Sequence, residues 1–291
     1  MERFAAIARE LRRLSGVRCA AQPERRIGGG SIHEAYAWRT HSGRFFVKVA
    51  PPGGIGALES EADGLAALSA AHALRVPHVI GYGTTGGAAY LALEWIERGT
   101  SDARCEGHLG TQLAALHAVG AERFGYHRDN FIGATPQTNA WSANWAEFFR
   151  DQRLRPQLAR AARGGFAGQL APVAAALLEA VPRILRDHTP RPSLLHGDLW
   201  GGNWFACTDG TPVIFDPAVY YGDREADLAM TRLFGGFGAA FYRAYCAAAP
   251  LPPESALRAE LYNLYHVLNH ANLFGGAYAG QARAMIDRLL S

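Results

Sequence analysis

Three side chains sit at offsets that suit one reaction. Asp198 lies in the run His196-Gly197-Asp198-Leu199-Trp200-Gly201-Gly202-Asn203, and Asp216 opens Asp216-Pro217-Ala218. Asn203 follows Asp198 by five residues (203 − 198) and Asp216 follows by eighteen (216 − 198). This is the order and spacing of a kinase-like phosphoryl-transfer site, in which one carboxylate meets a hydroxyl while an amide and a second carboxylate hold magnesium against ATP phosphates. A carboxylate can orient a hydroxyl and take its proton late. Hard oxygen donors suit a small dication that keeps several waters. His-Gly-Asp alone is a polar turn between two strands; the two later residues at their offsets give it a chemical meaning. Asp198 is the candidate base. Its ordinary pKa of about 3.9 is low for a base at neutral pH, which a loose transition state tolerates. Asn203 and Asp216 are the candidate ligands of Mg2+. His196 is expected to support the loop by hydrogen bonding.

A nucleotide must be held over these groups. Gly28, Gly29, Gly30 and Ser31 lie about twenty residues ahead of Lys48, where a phosphate-covering loop belongs, because glycine lets backbone N–H groups approach phosphate oxygens. The run is neither GxGxxG nor GxxxxGK[ST], so the Rossmann and Walker readings do not apply. Lys48 ends Phe45-Phe46-Val47-Lys48 on a strand. It would bridge the α- and β-phosphates and be held by a helix glutamate. Glu61 is the first choice for that glutamate and Glu59 the second; two apart on a helix, they point about 200° apart, so only one can face Lys48. Glu94, Trp95 and Ile96 close the next strand and would offer backbone groups to adenine.

Trp200 and Trp204 flank the polar loop. One is expected to pack beneath it. Trp200, beside the base, could stack on a sugar or a ligand amine. Between Asp216 and Asp227 the chain holds no Ser or Thr and is too short for a regulated activation loop. Gly197 stands where phosphorylation-controlled kinases place an arginine before the base. Both points suggest an enzyme that needs no loop phosphorylation. Asp227 is expected at a helix start, capping N–H groups and bracing the loop. His266 and His270 are four apart, but no HExxH glutamate accompanies them, so buried or hydrogen-bonded histidines are expected. There is no GxSxG from which a serine hydrolase could be argued.

The elements that must carry these residues follow from periodicity. Residues 2–15 place Phe4, Ile7, Ala8, Leu11 and Leu14 at helical spacing. Residues 33–39 and 44–49 read as strands, 57–72 as a helix, and 76–83 and 88–96 as strands. After residues 94–100 the pattern turns helical, over 105–119, 141–163, 168–188 and 254–290, with loops at 120–140, 189–232 and 247–253. The expected architecture is α+β, a bilobal protein-kinase-like fold. Its β-rich first lobe spans 1–97 and its mainly helical second lobe spans 98–291.

Composition excludes other classes. A chain of 291 residues can bury two cores. A net charge of +3 is too mild to demand nucleic acid or an anionic membrane. Cys19, Cys105, Cys207 and Cys246 are far apart and form no CxxC, against structural zinc or a disulfide framework. The charged start and the lack of an apolar run near ~18 residues argue against a signal peptide or membrane span. A cytoplasmic setting with reduced thiols is expected, with the oligomeric state left open.

Together these segments resemble the fructosamine-3-kinase (ketosamine-3-kinase) family, whose fold is kinase-like and related to the aminoglycoside phosphotransferases. The resemblance runs along the whole chain. It is carried by residues 27–30, 46–48, 61–65, 109–117, 124–126, 129–133, 136–137, 139–141, 153–157, 196–203, 216–222, 224–225 and 272–276. Two positions depart from the pattern: Asp223 stands where the family commonly has His, and Ser31 where many eukaryotic members have Cys. The second makes a thiol switch in the phosphate loop improbable. The resemblance implies ATP-dependent phosphorylation of the 3-hydroxyl of ketosamines, such as fructosamines or ribulosamines, free or on protein lysines, which labilises the adduct. The ligand's secondary ammonium would want an acidic neighbour, for which Asp223 and Glu225 are the expected pair. The same site could instead serve an aminoglycoside, choline or homoserine, or bind nucleotide without turnover.

Overall fold

The structure, a computed structural model, describes residues 2–28 and 33–291. The first third is a five-stranded antiparallel sheet in the order β1-β2-β3-β5-β4, formed by β1 (Arg25–Ile27), β2 (Glu34–Thr40), β3 (Gly43–Ala50), β4 (Val79–Thr85) and β5 (Ala88–Glu94). Strand periodicity gives its two faces different duties. Val47 and Val49 join Tyr36, Trp38 and Tyr90 against Ile7 and Leu11 of helix α1 (Glu2–Ser15). Phe46 and Ala50 alternate with them and face the other cluster, with Leu91, Leu93 and the Leu58, Leu65 and Leu68 stripe of helix α2 (Ile55–Ala70). Lys48 shares the parity of Phe46 and Ala50, so it points to the α2 side.

Helices dominate the rest. Helix α3 (Ala103–His117) is capped by Asp102, which accepts from the Cys105 N–H at 2.8 Å. The run α4 (Trp145–Phe148), α5 (Arg155–Ala161) and α6 (Ala167–Ile184) is joined by π-helical turns at Phe149–Leu154 and Ala162–Phe166, the second kinked at Gly165 with φ 97°. Helices α7 (Arg224–Leu233), α8 (Ala239–Ala248), α9 (Ser255–Phe274) and α10 (Ala277–Leu290) complete the core. The stretch 254–290, expected to be mostly helical, holds two helices, divided where Gly275 and Gly276 take φ of 67° and 64°.

Two expected loops hold regular structure. Within 120–140, β6 (Asn130–Ile132) and β7 (Thr135–Gln137) form a hairpin. Within 189–232, β8 (Ser193–Leu195) pairs with β11 (Tyr220–Gly222), β9 (Trp204–Ala206) pairs with β10 (Pro212–Ile214), and α7 begins. Three-residue strands are too short for periodicity to register. The sequence also suggested no apolar run of spanning length. The helical stretch Trp145–Ile184 does contain one by length and composition. Its Leu170, Leu177 and Val181 are fully buried, and α6 packs on α10, so this apolar face has a partner within the protein.

His266 on α9 is buried, and its Nδ1 has no hydrogen-bond partner. Burial, with His270 adding to it, pushes its pKa from 6.5 down to about 3. The unfolded chain therefore takes up a proton below about 6.5 that the folded one refuses until about 3, and stability is lost as pH falls through that window. Chemical denaturation from pH 7 to pH 4 is expected to show a falling midpoint, with a shallower fall in His266→Gln. Parallel slopes for the two proteins would contradict this.

Candidate active site

The loop that leaves β8 is fixed through its backbone. Asp227, buried in the first turn of α7, accepts from the N–H of His196 at 2.7 Å and of Gly197 at 2.9 Å. It is held in turn by His117 Nε2 at 3.2 Å, whose Nδ1 meets the Tyr245 hydroxyl at 2.8 Å. Burial alone would raise the Asp227 carboxyl, but His117, His196 and the Gly197 amide outweigh it and hold it below the usual range. Asp227 thus braces the loop as expected, although the helix start is elsewhere. The cap of α7 is Asp223, which accepts from Glu225 N–H at 3.0 Å.

Gly197 has φ 82°, and a Cβ there would run into the Ala218 carbonyl. No arginine can occupy this position. His196 is fully buried. Its Nε2 lies 3.0 Å from the Phe215 carbonyl, to which it donates, and its Nδ1 accepts from Asp198 N–H at 3.3 Å. Burial lowers its pKa, so a neutral ring ties the base to the strand that leads to Asp216.

Asp198 and Asn203 meet directly. The Asn203 amide nitrogen donates to the Asp198 carbonyl at 2.8 Å and to its carboxylate at 3.2 Å. With its nitrogen committed, Asn203 has Oδ1 left as a hard donor. Burial and the nearby Asp216 push the Asp198 carboxyl up to about 7, against the Asn203 hydrogen bond. This departs from the ordinary value the sequence suggested, and it makes Asp198 a better base at neutral pH. Asp216 itself has φ 57°, a conformation uncommon outside glycine and typical of functional sites.

Lys48 joins the halves of the site. Its ammonium donates to Glu61 at 2.8 Å and to Asp216 in a still closer contact. Glu61 is therefore the partner, while Glu59 lies near Arg128. Burial, supported by Asp216, pushes the Glu61 carboxyl up to about 8 against the pull of Lys48. One Glu61 oxygen has no partner. Helix α2 comes this close because of Gly64, where a Cβ would stand 3.1 Å from Pro217 and 3.4 Å from Val219.

At the end of β5, the Glu94 amide already donates to the His78 carbonyl at 2.8 Å, and its side chain takes Arg75 at 2.6 Å. Any adenine contact at Glu94 thus falls to its carbonyl. Ile96 follows outside the strand, and the Trp95 indole donates to Glu97 at 2.8 Å. Of the glycine loop, Gly28 follows β1 as a bend, while Gly29, Gly30 and Ser31 lie outside the described residues. The two tryptophans differ in burial, and the buried one is Trp204. Trp204 is buried with its Nε1 on the Gly236 carbonyl at 3.1 Å, whereas Trp200 is 39% exposed and edge-on to Phe234.

Asp223 and Glu225, the acids expected to meet a ligand ammonium, are engaged within the protein. Both are buried. Asp223 is occupied by Tyr262 at 2.5 Å, His188 at 2.6 Å and its own capping bond; Glu225 forms a bidentate pair with Arg258 at 2.7 and 2.8 Å. Both carboxylates thus already hold partners within the protein, His188 among them. His270 Nδ1 meets the His266 carbonyl at 2.8 Å, so the histidine pair is structural. Two residues escaped a role in the sequence reading. Asn130 donates to the Val219 carbonyl at 2.7 Å and Gln137 to the Ala218 carbonyl at 3.1 Å, holding the segment after Asp216. Buried amides on a three-residue hairpin leave only a faint sequence signal.

The close approach at residue 197 gives a direct test. Gly197→Ala is expected to lower stability by about 2 kcal/mol or more, through positive-φ strain and overlap with Ala218. Denaturant titration checks this; a midpoint equal to the parent's would contradict it.

The chain matches the family model described as fructosamine kinase over residues 3–291. A probable ketoamine kinase of Synechocystis sp. is 45% identical over 287 residues, covering 98% of this chain and 96% of that protein. A chloroplastic protein-ribulosamine 3-kinase of Oryza sativa subsp. indica is 40% identical over 268 residues, covering 91% of this chain and 78% of that protein. The crystal structure of a putative fructosamine-3-kinase from Haemophilus somnus superposes with a TM-score of 0.91 at 27% identity, covering 100% of this chain and 98% of that one. With a small antiparallel sheet, a mainly helical remainder and a loop after β8 braced from α7, the protein has the kinase-like fold and belongs to the fructosamine kinase family.

Proposed function

We propose that the protein is an ATP-dependent kinase that phosphorylates the 3-hydroxyl of ketosamines, ribulosamine or fructosamine, free or carried on protein lysines. The observation that carries this reading is the meeting of Lys48, Glu61 and Asp216 beside the Asp198–Asn203 loop, in a chain of the fructosamine kinase family. Relatives at 40–45% identity bear ketoamine kinase and ribulosamine 3-kinase names, which favours ketosamines over other hydroxyl acceptors.

Each residue then has a task. The backbone of residues 94–96 receives adenine. Lys48, steadied by Glu61, turns from Asp216 to the phosphates. The donors suit magnesium, since the Asp216 carboxylate and Asn203 Oδ1 are hard oxygens with room for retained waters. A bound magnesium ion would supply charge neutralisation at the phosphate oxygens. Asp198 accepts a hydrogen bond from the acceptor hydroxyl and fixes its line of approach. It takes the proton as the new O–P bond forms and the γ-phosphorus parts from the bridging oxygen, which leaves with ADP, while its raised pKa keeps the proton transfer near balance at neutral pH. Trp200 offers the sugar or its amine an aromatic face beside the base.

The test is phosphate transfer from ATP to ribulosamine, fructosamine and an aminoglycoside, side by side. Transfer to a ketosamine is expected, and Asp198→Asn should slow it about 10²- to 10⁴-fold, the range for a positioned base, with ATP still bound. Transfer to the aminoglycoside alone, or full activity in Asp198→Asn, would sink the assignment.

A further inference from the structure

A second cavity, about 200 Å³ in volume, opens between the β6–β7 hairpin and the α5 run, with Tyr265 of α9 in its wall. Its lining includes Arg153, Arg160 and Arg163 and no aspartate or glutamate. Two other arginines of the same helical run, Arg150 and Arg155, both pair with Asp151. None of the three cavity arginines has a carboxylate partner among the described residues.

Arg153 is the most unusual of them. It is fully buried, a costly place for an unpaired charge. Its guanidinium donates to the Thr138 carbonyl at 2.6 Å, the Gln152 carbonyl at 3.0 Å and Asn139 Oδ1 at 2.7 Å, and lies 3.9 Å from the Tyr220 ring centre. Those dipoles and rings soften its charge without cancelling it, and its Nε–H has no acceptor. Thr135 Oγ1, also in the wall, is buried without a partner.

Several neutral groups of the wall are already committed. Tyr265 donates to Gln137 Oε1 at 2.6 Å, and the Gln157 amide donates to Asn269 at 3.2 Å. A neutral polyol would find few free partners, and an apolar ligand would have to desolvate the arginines. What the cavity leaves unsatisfied is positive charge. Guanidinium groups pair best with the bidentate edges of carboxylate and phosphate.

We propose that this cavity binds a small oxyanion, borne by a phosphate or a carboxylate, gripped by Arg160 and Arg163 above the buried charge of Arg153. The inference does not rest on the acceptor assigned to the kinase cleft.

Calorimetric titration of the full-length protein, with inorganic phosphate and with acetate at constant ionic strength in chloride, tests it. One-to-one binding of at least one anion is expected. Arg160→Gln and Arg163→Gln should each weaken it about ten-fold or more, the loss usual for a charge-assisted contact. Lys48→Met should leave it unchanged, separating this cavity from the nucleotide cleft. Binding of phosphate alone assigns a phosphate ligand, and binding of acetate alone a carboxylate ligand. Failure of both anions to bind, or affinity unmoved in both arginine variants, would overturn the proposal.

Discussion

One ammonium shared between two carboxylates governs this molecule. Lys48 lies between Glu61 and Asp216, and so ties the sheet to α2 and to the segment that leaves β10. Without that ammonium, two acidic groups would face each other in a poorly hydrated space, where like charges repel strongly and one must take a proton. Burial, with Asp216 adding to it, raises the Glu61 pKa even against the pull of Lys48. Several local features serve the contact. Strand parity turns Lys48 away from α1, the missing Cβ of Gly64 lets α2 approach Pro217, and Asp216 accepts a left-handed backbone to bring its carboxylate inward.

The second anchor works through backbone groups. Asp227 holds two consecutive N–H groups of the catalytic loop, and His117 and Tyr245 hold Asp227. A loop fixed this way needs no arginine before the base and no phosphate to order it. Gly197 permits the arrangement, because only glycine fits the space under Ala218. Asp198 is then set by its surroundings, with burial and Asp216 lifting its pKa and Asn203 opposing them. The same carboxylate that would hold magnesium therefore also tunes the candidate base.

The candidate site was legible because its residues are concentrated. Asp198, Asn203 and Asp216 lie within nineteen residues (216 − 198 + 1) on short connections whose offsets are set by geometry, and Lys48 stands out as a charge in an apolar strand. The large helices and the first sheet were legible from periodicity. Other parts were hidden for physical reasons. Asp223 and Glu225 read as free acids beside the site, because a sequence does not reveal that Tyr262, His188 and Arg258 reach them from helices far along the chain. The three-residue strands β6 to β11 fall below any period. Gly64 looks like a weak point in a helix until its neighbour across the cleft is known. The raised pKa of Asp198 depends on burial, which no local pattern encodes.

The central claim is that Lys48, Asn203 and Asp216 form a magnesium–nucleotide site. Calorimetry of ATP binding with and without magnesium, in the parent and in Asp216→Ala, tests it most directly. The account predicts that magnesium strengthens nucleotide binding in the parent and that this gain vanishes in the variant. An equal magnesium-dependent gain in Asp216→Ala would contradict it.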